Sequence, residues 1–324
     1  MESIGLTEPH LIAFEYVVSE EAQVWRMTNT LDEEQESMST LAWVKVHKTS
    51  AKAQLESQAI QRWGQALSPQ LKVPKVIAVF DTCLVLSHCQ GQARTEWSSY
   101  ECELIASSLA NLHELSWQDQ DTVSLTEAFI KRSSSIFKLK DQLMNILQPL
   151  DPSYSQSFLK LCTLLSKPSP LGEHSALIQR SPCHRDFRSE HLLFKYDEFT
   201  EACSLSLIDW GQSRPDHWSS DWTKLYLEPL MGIEQKQQLW QSYWQLRFPK
   251  LKLSIKEKQT LPYMLHWSLA LHTLNTLKWA YMHQKSGQTA RHQAVDQSRN
   301  NQIWKRALYE LEQMNNFTMT QFTL

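Results

Sequence analysis

Residues 184–194 read HRDFRSEHLLF, and no other stretch narrows the choice of fold as much. An aspartate two residues after a histidine, then a basic residue and an apolar run, describe a loop that displays charge and re-enters a core. A second turn of this kind, LIDWG at 207–211, comes shortly after. Both stand on short segments of strand character, LIQRSPCHRDF and SLSLIDWG, in a region whose remaining texture is helical. A fold that accepts this chain must carry two aspartate-bearing turns on short strands among helices.

The first ninety residues differ in texture from the rest of the chain. LIAFEYVV, AQVWRM, STLAWVKV, KVIAVF and CLVLSH are short runs rich in β-branched and aromatic residues, the signature of strands. Between the third and fourth lies SAKAQLESQAIQRWGQAL, where Leu55, Ala59, Trp63 and Leu67 recur at helical spacing and predict one buried face. Gly91, one of only seven glycines, suits a turn between lobes. From Ser98 onward YECELIASSLANLHEL, LTEAFIKRSSSIFKLKDQLMNIL and SQSFLKLCTLLSK predict helices, which resume from Asp221. The polar stretch from Gln284, QKSGQTARHQAVDQSRNNQ, reads as an exposed loop or solvated helix. The expected organisation is a small strand-rich N-terminal lobe over residues 1–91 and a larger helical C-terminal lobe over 92–324, the latter carrying the loop and an acceptor site.

Length and composition permit this. A chain of 324 residues with thirteen Trp and eleven Phe can fill the core of two lobes. Its formal charge of −3 gives no strong pull toward nucleic acid or anionic membrane. The six cysteines show no C-x-x-C pair and no disulfide-framework spacing, which favours free thiols in a reducing compartment. MESIGLTEPH has neither the basic region nor the apolar core of a signal peptide, so the cytoplasm is the expected location. YMLHWSLALHTLNTLKWAYM, interrupted by His, Thr, Asn and Lys, reads as a buried helix and not a membrane span.

The charged residues fit the needs of phosphoryl transfer from ATP. That reaction asks for phosphates and metal held in line, charge neutralised, and the acceptor hydroxyl oriented by a carboxylate. Lys45, on LAWVKV, can project toward the α- and β-phosphates, and Glu56 on the next helix can hold its ammonium. Taken alone, this pair is as readily two surface residues. Asp186 would orient the acceptor hydroxyl and receive its proton, while Arg188 offers a planar fork of donors to the γ-phosphate. Asp209 supplies the hard oxygen that Mg²⁺ prefers. His184 reads as a brace for the loop.

Lys45, Glu56, LVLSHCQG, SSLANLHEL, HRDFRSEHLLF and LIDWG together resemble the aminoglycoside phosphotransferase and choline kinase group of the protein-kinase-like superfamily, over about residues 10–230. The resemblance implies a bilobal α+β protein-kinase-like fold, ATP with Mg²⁺ (Mn²⁺ as an alternative), and a small-molecule or sugar hydroxyl as acceptor, with no nucleic acid partner and no membrane span. It puts Asp186 on the catalytic base, Asp209 on the principal metal ligand and Asp221 on a residue that buttresses the loop. Leu86–Cys89 falls on the hinge, where backbone groups of Ser87 and Cys89 would meet the adenine edge.

The departures from the pattern H-G-D-x-x-x-x-N are specific. Arg185 stands for Gly, His191 stands for Asn, and MTNTLDEEQESMSTLAWVKV has no glycine-rich loop. Imidazole is a poor Mg²⁺ ligand, suited to softer ions. H-R-D-x-x-x-x-H nevertheless resembles the lipopolysaccharide core kinases that act on Kdo or heptose sugars, and His191 is expected at the metal. Three readings are open on these residues: a small-molecule kinase, a kinase of lipopolysaccharide core sugar, and a nucleotide-binding pseudokinase. Aminoglycosides are a poor expectation, because carboxylates are sparse from Asp216 to Leu324. His266 and His272, six apart, do not share a helical face as an i, i+4 metal pair does, and the Trp-rich pieces LWQSYWQLRF and HWSSDW read as core.

Overall fold

The computed structural model describes residues 12–17, 22–29, 40–67, 71–94, 96–115, 125–167, 180–197, 202–228, 231–249, 255–287 and 293–315. The chain forms two compact units, one of residues 1–116 with 182–215, the other of 117–181 with 216–324. The first unit runs past residue 91 and takes in the HRDF and LIDWG segments, which the expected lobes had assigned to the helical part. Strand pairing is the cause.

Strands β1 (Ile12–Val17), β2 (Gln23–Asn29), β3 (Thr40–Val46), β5 (Val76–Phe80) and β6 (Cys83–Ser87) form a five-stranded antiparallel sheet in the order β1-β2-β3-β6-β5. These are the five runs expected from sequence. A second sheet, ordered β4-β10-β9-β7, unites β4 (Leu71–Lys72) and β7 (Gln92–Ala93) with β9 (Leu192–Tyr196) and β10 (Cys203–Leu207). Leu71, Leu192, Phe194, Leu205 and Leu207 bury its inner face, which ties the loop segment to the N-terminal part. β8 (Arg180–Cys183) and β11 (Arg214–His217) pair with each other.

Helix α1 (Ser50–Ala59) starts on Thr49, whose hydroxyl accepts from the Lys52 amide. It continues through a π-helical turn, Ile60–Gly64, into α2 (Gln65–Leu67). The expected face is only partly right. Ala59, Trp63 and Leu67 are buried, but Leu55 is 60% exposed. Ala53 and Glu56 face inward before the wider turn, Ile60 and Trp63 within it, and Leu67 after it. An inserted π turn shifts helical phase, so one 3.6-residue stripe cannot describe both halves. Helix α3 (Ser99–Glu114) opens on a reciprocal capping box between Ser98 and Glu101.

The second unit is helical: α4 (Leu125–Phe137), α5 (Lys140–Leu150), α6 (Pro152–Ser166), α7 (Ser219–Tyr226), α8 (Ile233–Arg247), α9 (Ile255–Gly287) and α10 (Gln293–Asn315). The run expected as one helix from Leu125 breaks at a turn over Lys138 and Leu139. α9 buries Leu265, Trp267, Leu269, Leu271, Leu274 and Leu277, as expected of a core helix. Among the described residues no helix is long and apolar enough to cross a membrane. Trp218, Trp222, Trp240 and Tyr243 are buried together, Trp222 stacking on Tyr243 at 5.6 Å, so the Trp-rich pieces are core. The polar stretch from Gln284 is helical to Gly287 and again from Gln293. Residues 30–39 of the glycine-free segment lie outside the described residues.

Candidate active site

The register of β9 against β10 assembles the site. Leu192 pairs with Leu207, so the residues flanking that pair, His191 and Ile208, are neighbours. The Ile208 amide donates to the His191 carbonyl at 3.1 Å. Asp209, next in the chain, adopts φ 61°, a left-handed conformation that a short polar side chain tolerates better than most. His184 holds the HRDF loop against this turn. Its Nε2 lies 3.0 Å from the Ile208 carbonyl, and its ring meets Trp210 edge-on at 5.0 Å. It is fully buried, as a brace should be.

Lys45 arrives from β3. Its Nζ lies 2.9 Å from Glu56 Oε2, 3.0 Å from Oε1 and 2.5 Å from Asp209 Oδ1. Burial opposes the ammonium, but the charges of Glu56 and Asp209 outweigh it and raise the Lys45 pKa above its usual range. Burial likewise opposes the Asp209 carboxylate, and Lys45 with His191 overcomes this to hold its pKa at about 2. His47, two residues along the same face as Lys45, adds Nε2 at 3.1 Å from Glu56 Oε2. Sequence reasoning passed over His47, although its i+2 position was the available signal. It also passed over Gly211, where a Cβ would stand 3.2 Å from Glu56 Oε2, 3.5 Å from Asp209 Oδ1 and 3.6 Å from Lys45 Nζ. The glycine of D-W-G gives the carboxylates room to close on the amine.

Asp186 and His191 complete the cluster. Donor atoms of Asp186, His191 and Asp209 all lie within 4.8 Å of one another, a spacing one ion can span. His191 Nδ1 sits 2.8 Å from the Asp186 backbone carbonyl, and Nε2 points toward Asp209 Oδ2 at 3.6 Å. This oxygen-and-imidazole donor set fits a divalent cation. Arg188 forms an ion pair with Asp186, its Nε 2.7 Å from Oδ1, and donates from Nη1 to Glu190 Oε1 at 3.2 Å, so its fork is turned onto carboxylates. Arg185 adopts φ 63°, which explains why a glycine is the easier residue there.

At the hinge segment the Ser87 amide donates to the Lys75 carbonyl at 2.8 Å, and Ser87 Oγ accepts from the Lys75 amide at 2.8 Å. Cys89 is buried, which pushes its thiol up to about 11. Trp43, on the same face of β3 as Lys45, donates from Nε1 to His88 Nδ1 at 3.1 Å. Asp221 is fully buried on α7 in the second unit. His272 pairs with buried Glu310 at 3.6 Å, in keeping with a structural role.

No family model matches the chain, and no curated protein does. Solved structures do. A spectinomycin phosphotransferase in complex with ADP and spectinomycin aligns with TM-score 0.63 over 99% of this chain and 98% of its own, at 10% identity. Choline kinase from Cryptosporidium parvum Iowa II aligns with TM-score 0.57 over 94% and 90%, at 11% identity. The macrolide 2'-phosphotransferase of Brachybacterium faecium aligns with TM-score 0.57 over 90% and 91%, at 10% identity. The chain has the protein-kinase-like fold of these phosphotransferases. The mixed α+β architecture expected from the sequence is thus the observed one, and identities this low carry the fold alone.

Proposed function

We propose that this protein is an ATP-dependent phosphotransferase that moves the γ-phosphoryl group to a hydroxyl of a small molecule. The observation that carries this reading is the convergence of Lys45, Glu56 and Asp209 beside Asp186. A buried ammonium bridging two carboxylates, with a third carboxylate on the neighbouring loop, is a costly arrangement for structure alone and suits a triphosphate. That a protein of the same fold was solved with ADP supports the choice of nucleotide.

In this reading Lys45, steadied by Glu56 and His47, meets the α- and β-phosphates. Asp209 and His191 hold the divalent ion, which when bound offsets phosphate charge. Asp186 takes the proton of the acceptor hydroxyl as that oxygen bonds to the γ-phosphorus and the bond to the ADP oxygen breaks. Arg188, through Nε on Oδ1, fixes the Asp186 carboxylate and leaves Oδ2 for that proton. Its Nη1, placed on Glu190, is the donor that this reading offers to the γ-phosphate. At the hinge, any reading of a base edge at Ser87 falls to its carbonyl, because its amide is engaged. The six free thiols accord with a cytoplasmic setting.

The test is ATP consumption and phosphorylated product across a panel of soluble alcohols, amino alcohols and Kdo- or heptose-bearing acceptors. Asp186→Ala is expected to lower turnover by roughly 10²–10⁴-fold while ATP still binds. Equal turnover in that variant contradicts the assignment. ATP binding by the wild type with no transfer to any acceptor would make the protein a pseudokinase.

A further inference from the structure

We propose that the ion site of this chain is a mixed nitrogen–oxygen site in which His191 Nε2 is a ligand, and that it selects Mn²⁺ and other first-row transition ions over Mg²⁺. The proposal deepens the phosphotransferase reading and rests on it for the location of the ion.

The imidazole's proton decides which nitrogen is available. Nδ1 lies 2.8 Å from a backbone carbonyl oxygen, which can only accept, so Nδ1 carries the hydrogen and donates it. In the neutral ring Nε2 is then left with its lone pair. That lone pair faces Asp209 Oδ2 at 3.6 Å and Glu190 Oε1 at 3.8 Å. Two acceptors confronting each other across 3.6 Å gain nothing from each other, and the span is too long for a hydrogen bond even to an imidazolium. Cis ligands of an octahedral cation at bonds of about 2.1 Å lie about 3 Å apart, so a small side-chain rotation closes the 3.6 Å span onto one ion.

The neighbouring contacts leave those atoms available. Lys45 occupies Asp209 Oδ1, so Oδ2 is the oxygen turned toward His191. The His191 side chain is 12% exposed, which limits its competition with water. A carbonyl that fixes the tautomer of a histidine from behind is the usual outer support of an imidazole metal ligand. Mg²⁺ binds oxygen almost exclusively and gives up water reluctantly, whereas Mn²⁺ and its later neighbours accept imidazole. Replacing an amide oxygen by this nitrogen therefore shifts selectivity without destroying the site.

The test uses Mn²⁺ with inorganic tripolyphosphate, a mimic that contributes no nitrogen of its own. Pulsed electron paramagnetic resonance on the wild type is expected to show ¹⁴N modulation from a directly bound imidazole. His191→Asn and His191→Gln should both abolish it, with thermal unfolding as the check that each variant is folded. In Mg²⁺ competition titrations each variant is expected to lower the Mn²⁺:Mg²⁺ affinity ratio by about tenfold or more. Mn²⁺ bound without ¹⁴N coupling, no Mn²⁺ binding by the wild type, or an unchanged ratio in His191→Asn each overturns the proposal. The two readings fail separately: imidazole coupling in a protein that transfers no phosphate would sink the enzymatic reading alone, and phosphate transfer without that coupling would sink this one alone.

Discussion

Two lysines of this protein are almost equally buried and could hardly be used more differently. Lys45 is 7% exposed on β3 and Lys236 is 8% exposed on α8. Around Lys45 stand Glu56 and Asp209, both within 3.0 Å, and its pKa rises despite burial. Lys236 lies 4.7 Å above the Tyr226 ring, and there burial prevails over the attraction of Glu228, bringing its pKa down to about 8. The helical unit holds its lysine as an amphipathic packing piece. The strand-rich unit holds its lysine as a charge between two carboxylates. Burial alone does not distinguish the two amines; the carboxylates gathered around Lys45 do.

The largest expected effect separates the two by sign. Lys45→Met leaves buried Glu56 without its main counter-charge and is expected to cost about 3–5 kcal/mol in urea unfolding. Lys236→Met relieves a desolvated ammonium and is expected to stabilise by roughly 1–3 kcal/mol at pH 7. Destabilisation of similar size in both would erase the distinction.

Alkaline titration gives the next contrast. Lys236 has a folded pKa of about 8 against 10.5 for the free side chain, so the unfolded chain binds more protons between these values. Its contribution should therefore rise as pH increases from about 8 to 10.5, and Lys236→Met should remove that slope. Lys45 behaves oppositely: its contribution is complete below 10.5 and is lost as pH climbs through its raised folded value. On the acid side, Asp209 contributes above 3.8 and loses that contribution as pH falls through about 2. Unfolding free energies measured from pH 7 to 11 for wild type and Lys236→Met check the sign for Lys236.

A smaller effect is expected from Gly211→Ala. The added methyl meets Glu56 Oε2 at 3.2 Å, so the carboxylate must give way. A loss of about 1–2 kcal/mol is expected, along with weaker nucleotide binding. The smallest change runs the other way: Arg185→Gly, at φ 63°, should relieve backbone strain and gain up to about 1 kcal/mol. A loss there would mean that the arginine's side-chain partners matter more than its backbone.

Some of this site could be read from the sequence, for a physical reason. Asp186, His191 and Asp209 stand on two turns whose residue types are dictated locally, and β9–β10 pairing then brings the turns together. The five N-terminal strands were legible because their β-branched and aromatic runs are short and bounded. The inward face of α1 was not, because Glu56 takes a core position that a hydrophobic pattern gives to Leu55, and the π turn shifts the phase beyond it. Nor was the orientation of His191, since which ring nitrogen carries the proton depends on a carbonyl five residues away in sequence that only the folded loop presents. The strand-rich unit's extent was hidden for a similar reason: β4 and β7 have two residues each and carry no periodic signal.

The most direct test is calorimetric titration of ATP with a divalent ion into wild type, Asp209→Asn and Lys236→Met. The wild type and Lys236→Met are expected to bind ATP with the same affinity, and Asp209→Asn at least about tenfold more weakly. Equal affinity in all three, or no binding by the wild type, would contradict the claim that Lys45 and Asp209 were brought together to hold a nucleotide.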